Sequence, residues 1–476
     1  MHASNRQRRR MAIISSYFEG ETYGLLGPQM AATLIRDHSP FECIVIAVTR
    51  EDRPAEIKKA LQDYFGSQRP LIGFSTLSGR EDLFALAGEL KASGAVTILA
   101  GPQADVDFKG EHNWPRHANR FKGWSANFSM ALQGPAEQIF PVLEQLEADT
   151  LSDTPGVLYK QGRAIRQNPP IAWDPKNLTA IDWHTLYRLK TGQLVRHEIK
   201  TAQVLQQIGC PYASQSKRIA IDFPAAMHKH SKQVLHVDAR GCSFCDVAVD
   251  KGYYGTLNAE AVMNQIAGLP EDKDGRKIAF ELINEYPLPG LERLLDNANN
   301  HGIGLTQINL TLRADGLINS ADHLRNALKL AYRSGTRIVL ASVGFESFDD
   351  RILRNLHKGS DVAMNLTAVR LMRTLKKDFP KTFGYLRSEG GNHGFIHPTP
   401  WDTPASESRI KSVIAQYGLN HDILPNHSTP LIIHHASVLG DWIRRLEKEE
   451  ALQLKRYDAI IGWWEIGESR SYETGS

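Results

Sequence analysis

The sequence predicts an α/β protein with parallel sheets in more than one domain, and three observations carry this prediction. Short apolar runs alternate with amphipathic segments of helix length, which is typical of parallel strands covered by helices on both faces. At 476 residues, with 42% hydrophobic and 23% charged residues, the chain is long enough for two or three globular cores. A stretch rich in proline and asparagine separates two series of such units and predicts a domain boundary.

The first series lies in residues 1–150 and predicts a doubly wound, flavodoxin-like domain. In such a domain the ligand crevice lies beyond the carboxyl ends of the strands. Mostly small residues follow three of the predicted strand ends; they would let backbone amides approach a ligand, although ordinary turns explain them equally well. These residues are Ser75, Thr76, Leu77, Ser78, Gly101, Pro102, Gly134 and Glu137.

Residues 151–200 are interpreted as a linker because of their proline content. The second series, residues 201–385, repeats strand then helix and predicts a partial or full (β/α) barrel, with an expected strand at Val234–Val237. The active site of such a barrel lies at the carboxyl ends of its strands. Residues 386–476 are less regular and are expected to complete the barrel or to form a lid.

Charge and cysteine content limit the class of protein. Lys and Arg number 56 against 53 Asp and Glu, so the net charge of +3 gives no case for a nucleic-acid or membrane-surface partner. No apolar run approaches the roughly 20 residues that span a bilayer. Four cysteines are too few for a disulfide framework and indicate a reducing cytoplasm. Cys43 lies in an apolar strand and is interpreted as a packing residue.

The other three cysteines indicate a metal centre. Cys242 and Cys245 form a C-x2-C pair, and Cys210 opens a similar phrase upstream. Three thiolates can hold a four-iron, four-sulfur (4Fe-4S) cluster and leave one iron open. The long loop between Cys210 and the pair is no obstacle, since each doubling of loop length costs only about 0.6 kcal/mol. The alternative is a structural zinc site with ligands among His228, His230 and His236.

With these motifs the chain resembles the radical S-adenosylmethionine (SAM) superfamily, above all its group with an N-terminal cobalamin-binding domain. That superfamily holds its cluster with a C-x3-C-x2-C motif and an aromatic residue before the last cysteine. Phe244 stands at the aromatic position, and the resemblance implies that it packs on the SAM adenine. Asp238 occupies the place of the first cysteine, so either Cys210 or Asp238 would complete the ligation.

Later phrases follow the order found in the same superfamily. The resemblance implies that Glu281 contacts the SAM amino group and Arg313 its carboxylate, and that Glu346 and Ser347 also bind SAM. Taken singly, Arg313 or Glu346 would be interpreted as a structural ion-pair residue. The phrases are 279–285, 311–315, 343–349, 353–359 and 395–404.

In residues 1–150 the resemblance implies that the strand-end residues from Ser75 to Glu137 named above bind cobalamin. The Asp-x-His-x-x-Gly signature of enzymes that ligate cobalt through a histidine is missing. The lower axial ligand is therefore unassigned.

The resemblance implies an enzyme that uses a 4Fe-4S cluster and SAM to generate a 5′-deoxyadenosyl radical, foremost a cobalamin-dependent C-methyltransferase. Two alternatives stay open: a radical rearrangement or oxidation with or without cobalamin, and a non-catalytic sensor that binds a cluster or a corrinoid. The expected partners are a small-molecule or peptide substrate and an electron donor such as flavodoxin or ferredoxin, with no nucleic acid and no membrane.

Overall fold

The computed structural model divides the chain into two compact units, residues 1–203 with 264–270 and residues 204–263 with 271–476. In the part of the chain that the structure describes, no helix is long and apolar enough to cross a membrane. The described residues are 8–76, 80–101, 125–134, 136–145, 151, 154–171, 180–227, 234–245, 255–423, 428–434, 437–451, 454, 456–457, 460–461 and 463.

The described strands of the first unit form one nine-stranded sheet. They are β1 (Arg9–Ser16), β2 (Phe41–Val48), β3 (Leu71–Ser75), β4 (Val96–Ala100), β5 (Met130–Leu132), β6 (Val157–Gln161), β7 (Ala164–Gln167), β8 (Leu186–Lys190) and β9 (Gln193–Arg196). Their order is β7-β6-β5-β4-β3-β1-β2-β8-β9. The first five strands pair in parallel in the order 2-1-3-4-5, which is that of flavodoxin-like sheets.

Both faces of the central part of this sheet are buried. Along β1, Ala12 and Ile14 pack into one hydrophobic core, whereas Met11 and Ile13 pack into another. This alternation explains why the central strands are apolar throughout, and it confirms the predicted α/β class. Cys43 is buried in the second core, as predicted. The helices of the unit are α1 (Leu26–His38), α2 (Pro54–Phe65), α3 (Glu81–Ala92) and α4 (Ile139–Gln145).

The interpretation of residues 151–200 as a linker differs from the structure, because this stretch contributes β6 to β9. These strands form two antiparallel hairpins at the edges of the sheet. The turn between β8 and β9 is Thr191-Gly192, with φ values of 49° and 74°, as in the tight turns that favour hairpins. The side chains of the outer strands β7 and β9 are largely solvent-accessible, so this part of the sequence lacks the long apolar runs that mark the central strands.

The second unit is built on a five-stranded sheet in the order β10-β15-β16-β17-β18. Its strands are β10 (Thr201–Leu205), β15 (Ala279–Ile283), β16 (Gln307–Arg313), β17 (Arg337–Gly344) and β18 (Phe383–Gly384). The last four pair in parallel, as in a partial barrel. The helices between and beside them are α5 (Ala259–Ala267), α6 (Leu288–Asn300), α7 (Ala314–Asn319), α8 (Ala321–Ser334), α9 (Asp350–Asn355) and α10 (Val362–Asp378).

The strand expected at Val234–Val237 is present, but its predicted place in the barrel sheet is wrong. These residues belong to β13 (Val234–Arg240), which pairs antiparallel with β12 (Ser216–Asp222) in a separate hairpin. Exposed and buried residues alternate strictly along β13, because only one face of the hairpin is covered. The strand β10 occupies the first position instead. A smaller pair, β11 (Gln207–Ile208) and β14 (Gly255–Thr256), flanks the hairpin in sequence.

The C-terminal region packs against this hairpin. Its elements are α11 (Pro404–Tyr417), β19 (Ile433–His434), α12 (Val438–Glu450), β20 (Arg456–Tyr457) and β21 (Ile460–Ile461). Arg445 of α12 donates a hydrogen bond to the carbonyl of His236 in β13, at 2.7 Å. The buried rings of Trp401 and Trp442 lie 5.6 Å apart. A role of this region as a lid stays a prediction.

Asp349 fixes the start of α9 and gives a test of the second unit. Its carboxylate accepts from the backbone N–H groups of Arg351 and Ile352 and from the guanidinium of Arg409, at 2.6–3.2 Å. Loss of a helix cap costs about 1–2 kcal/mol, so Asp349→Ala should lower the free energy of unfolding by at least that much. Urea denaturation measures it. Asp361→Ala is the control, because Asp361 caps α10 through one exposed bond. Equal losses would contradict the account.

Candidate functional site

Cys210, Cys242 and Cys245 lie in two turns on either side of the hairpin β12–β13. Cys210 precedes a single 3-10 turn, Pro211–Ala213, and follows Gly209, whose φ is 80°. Cys242 and Cys245 follow β13, and the N–H of Cys245 donates to the carbonyl of Cys242 at 3.2 Å. All three cysteines are half-buried, and none of them forms a disulfide within the described residues. The hairpin therefore accounts for the long separation in sequence.

Arg313, at the end of β16, contacts both turns. Its guanidinium carbon lies 3.9 Å from the ring centre of Tyr212, two residues after Cys210. One N–H group of the same guanidinium donates to the sulfur of Cys242 at 3.2 Å. A single side chain thus joins the segment of Cys210 to that of Cys242.

The turn that follows α9 holds both segments from the other side. The hydroxyl of Tyr212 donates to the carbonyl of His357 at 3.0 Å, and the His357 ring lies 2.7 Å from the carbonyl of Gly241. The N–H of Ser243 donates to Leu356 at 2.9 Å. Gly359 is required here, because a Cβ on it would stand 2.6 Å from the Tyr212 hydroxyl. The two turns are therefore fixed against a common support.

Lys358 forms a buried ion pair beside Phe244. Its amine donates to Glu346 at 2.7 Å and lies 5.8 Å from the Phe244 ring centre. Burial works against the charged amine, yet Glu346 and then Cys242 outweigh it and raise the pKa of Lys358. Glu346 has a φ of 61°, a strained value for a residue other than glycine. A Cβ on Gly344 would lie 2.6 Å from the amine, so glycine there makes room for the pair.

Polar residues lie on the less buried face of the sheet next to this pair. Thr311 donates to Glu281 at 3.3 Å, while Phe280 and Leu282 on the opposite face of β15 are buried. Glu285 follows β15. Its side chain is exposed to solvent, yet many protein atoms surround it. The resulting desolvation raises the pKa of its carboxyl, although the charges of Lys358 and Arg313 favour the ionised form. Predicted SAM contacts from Glu281, Arg313 and Glu346 therefore share one end of the sheet.

The groups that shift the pKa of Cys210 lie in the same site around Arg313. Desolvation raises the pKa of its thiol, and the charges of Glu285 and Cys242 act in the same direction, against the hydrogen bond from Tyr212 and the charge of Arg313. Each of these groups belongs to the arrangement around Arg313. A metal would supply the positive charge that turns such a thiol into a thiolate.

The alternative ligands are placed differently. Asp238 is exposed on β13 and pairs with Arg218 at 3.3 Å. His236 is exposed on the same strand, while His228 and His230 lie outside the described residues. Among the described residues, no three His, Cys, Asp or Glu side chains are grouped closely enough to hold a single metal ion.

The side chains of three further residues, Ser347, His393 and Trp401, form hydrogen bonds with the backbone. The Ser347 hydroxyl is buried and accepts from the N–H of Asp349 at 3.2 Å, so its predicted contact with SAM stays a prediction. Both ring nitrogens of His393 bond to backbone groups, at 2.9 Å each. Trp401 is buried and donates to the carbonyl of Asp222 at 2.9 Å.

In the first unit, the residues predicted to bind cobalamin follow neighbouring strand ends. Thr76 follows β3; it is buried, and its hydroxyl has no hydrogen-bond partner in the described chain. Gly101 follows β4 with a φ of 76°, and a Cβ on it would lie 2.6 Å from the Ser75 hydroxyl. Gly134 follows β5 with a φ of 99°. Leu77, Ser78 and Pro102 lie outside the described residues, as does the side chain of Glu137.

Sequence reasoning gave no role to Tyr212, His357 or Lys358. Each lies within a phrase that was recognisable, but a phrase does not reveal which side chains meet. The available signal for Lys358 was its place just after a short helix with buried Ile352 and Leu353, because an amine there needs a buried anion when the helix packs.

Comparison with solved structures finds a similar fold. A chain described as the apo, selenomethionine-labelled cobalamin-dependent S-adenosylmethionine radical enzyme OxsB matches with a TM-score of 0.56 and 12% sequence identity. The match covers 96% of this chain and 64% of that one, so the chain spans less than two thirds of OxsB. No protein-family model matches the sequence, and no curated protein matches it.

The Lys358–Glu346 pair gives a second test. Lys358→Met leaves a largely buried carboxylate unpaired, which should lower the free energy of unfolding of the apo protein by about 3 kcal/mol. The double variant Lys358→Met/Glu346→Gln should recover part of this loss. Arg218→Met, in the exposed pair with Asp238, should cost less than about 0.5 kcal/mol. Denaturant titration of the wild type, these three variants and the single variant Glu346→Gln decides. A double variant that loses as much stability as Lys358→Met and Glu346→Gln together would contradict the pairing.

Proposed function

We propose that this chain is a cobalamin-dependent radical SAM enzyme that methylates an unactivated carbon of its substrate. The observation that carries the proposal is the contact of Arg313 with both Tyr212 and the Cys242 sulfur. It supports a cluster site in which Cys210 replaces the missing first cysteine of the usual motif. The fold shared with OxsB supports the same reading.

The residues present fit a 4Fe-4S cluster. Cys210, Cys242 and Cys245 are half-buried and form no disulfide within the described residues, and cationic groups stand beside Cys242. In a four-iron cluster each thiolate binds a different iron, so the sulfurs need not converge on one point as zinc ligands must. Asp238 is a weaker candidate because its carboxylate already pairs with Arg218. The fourth iron would have no protein ligand.

SAM would bind at the same end of the sheet. Phe244 would pack on the adenine, above the charge pair of Lys358 and Glu346. Glu281 would accept from the SAM amino group. Arg313 keeps one N–H for the SAM carboxylate, because its other donors bond to Cys242, Asp315 and Lys358 in the described chain. Ser347 would contribute through its backbone, since its hydroxyl is buried.

The first unit fits a corrinoid. The buried hydroxyl of Thr76 has no partner among the described residues and so calls for a polar one, and Gly101 leaves the backbone open over Ser75. With these groups bound, the cluster supplies the electron that cleaves SAM and cobalamin supplies the methyl group. The protein would position them and exclude water. Its substrate would be a small molecule or a peptide, and its electron donor a flavodoxin or ferredoxin in the cytoplasm.

Replacement of Cys210 tests the cluster. Anaerobic reconstitution with iron and sulfide should give about four irons per wild-type chain. Cys210→Ala should lose most of this iron and the ability to cleave SAM, because one corner of the cluster loses its ligand. Cys43→Ala is the matched control, a free cysteine buried in the first sheet, and should keep the full complement. An intact, SAM-cleaving cluster in Cys210→Ala would overturn the ligand assignment.

Replacement of Gly101 tests the corrinoid. Gly101→Ala places a methyl group 2.6 Å from the Ser75 hydroxyl at the proposed crevice. We expect at least about a tenfold weaker affinity for hydroxocobalamin, equivalent to about 1.4 kcal/mol. Gly94→Ala is the control: its φ of 94° imposes similar strain, but its Cβ meets no atom within 4 Å. Absorbance titration measures both. Unchanged binding in Gly101→Ala would contradict the site.

Methyl transfer is the finer part of the proposal. SAM carrying a labelled methyl group should transfer the label to cobalamin on the reconstituted protein. Cleavage of SAM without transfer of the label would instead favour a rearrangement or oxidation. Failure to cleave SAM at all would favour the non-catalytic sensor.

A further inference from the structure

The guanidinium of Arg313 is fully oriented by its neighbours. Its Nε and one terminal nitrogen donate to the carboxylate of Asp315 at 2.9 and 3.2 Å, and that terminal nitrogen also donates to the carbonyl of Lys358. The ring of Tyr212 covers one face at 3.9 Å. The other terminal nitrogen is directed at the Cys242 sulfur at 3.2 Å. The side chain is therefore fixed before any cofactor binds.

We propose that Arg313 is a positioning residue that makes the cluster easier to reduce, by donating a charge-assisted hydrogen bond to the thiolate of Cys242. This inference rests on the proposed function and goes beyond it, since the family resemblance assigns Arg313 to the SAM carboxylate alone. A reduced cluster carries one more negative charge than an oxidised one. A cation and a hydrogen bond at the sulfur stabilise that charge and raise the reduction potential.

The surroundings of Arg313 strengthen this effect. The guanidinium is half-buried, so water screens its charge less than at the surface. Asp315 weakens the effect in part, because it neutralises some of the guanidinium charge, but it bonds to the side of the guanidinium away from the sulfur. Lys358 adds a second, buried cation near Cys242. Two cations thus stand beside one thiolate, which favours a cluster that accepts an electron readily.

Arg313 also compensates for the split motif. In a compact C-x3-C-x2-C loop the backbone itself holds the ligands close together. Here the hairpin β12–β13 separates Cys210 from Cys242, and the stack on Tyr212 together with the bond to Cys242 restores their proximity. The same side chain would therefore set both the geometry and the potential of the cluster.

The test is a redox titration of the reconstituted full-length protein without SAM or substrate, with the reduced cluster followed by electron paramagnetic resonance. Arg313→Gln removes the charge and should shift the midpoint potential to a more negative value. Arg313→Lys keeps the charge but lacks the planar guanidinium that reaches Cys242 and Asp315 on opposite sides, so a smaller negative shift is expected. Arg218→Gln removes an equal charge from the exposed pair with Asp238 and should leave the potential unchanged.

The outcomes separate this inference from the proposed function. If the wild-type chain forms no 4Fe-4S cluster, the proposed function fails. If it does, and Arg313→Gln has the wild-type midpoint or a more positive one, only the role of Arg313 is overturned. An equal shift in Arg218→Gln would overturn it as well. Should Arg313→Gln bind no cluster, Arg313→Lys decides: a more negative midpoint supports the inference and a wild-type midpoint overturns it.

Discussion

The contact of Arg313 with Tyr212 and Cys242 is the interaction on which the proposed site depends. It joins two turns that the chain has separated by a whole hairpin, and it does so from the end of a central strand. Arg313 belongs to β16, and strand pairing with β17 fixes the position of its backbone. Because the guanidinium donates several hydrogen bonds in one plane, it can bind the sulfur and its own support together.

The turn after α9 completes this arrangement. Three consecutive residues of this turn contact different parts of the site. His357 lies next to the turn before Cys242, Lys358 pairs with the Glu346 carboxylate, and Gly359 lies against the Tyr212 ring. Asp349 fixes where α9 begins, and so where this turn stands. The strained φ of Glu346 and the lack of a side chain at Gly344 both allow the Glu346 carboxylate to pair with the buried amine of Lys358.

The sequence predicts those parts of the fold that bury apolar residues on both faces. The central strands of the first sheet, such as β2, have long apolar runs and are visible for that reason. The edge hairpins β6 to β9 are half exposed and carry no such run, so they resemble a linker. Strand β13 has the alternation of any strand, and only its pairing with β12 shows that it lies outside the barrel sheet. Likewise, cysteine spacing can indicate candidate ligands, but the contacts of Arg313 with Tyr212 and of Lys358 with Glu346 depend on how separate segments pack together.

The most direct measurement is anomalous diffraction at the iron edge from crystals of the anaerobically reconstituted protein. The account predicts a four-iron cluster with the sulfurs of Cys210, Cys242 and Cys245 on three different irons and no protein atom on the fourth. An iron site that Cys210 does not reach, or one held by Asp238 in its place, would contradict it.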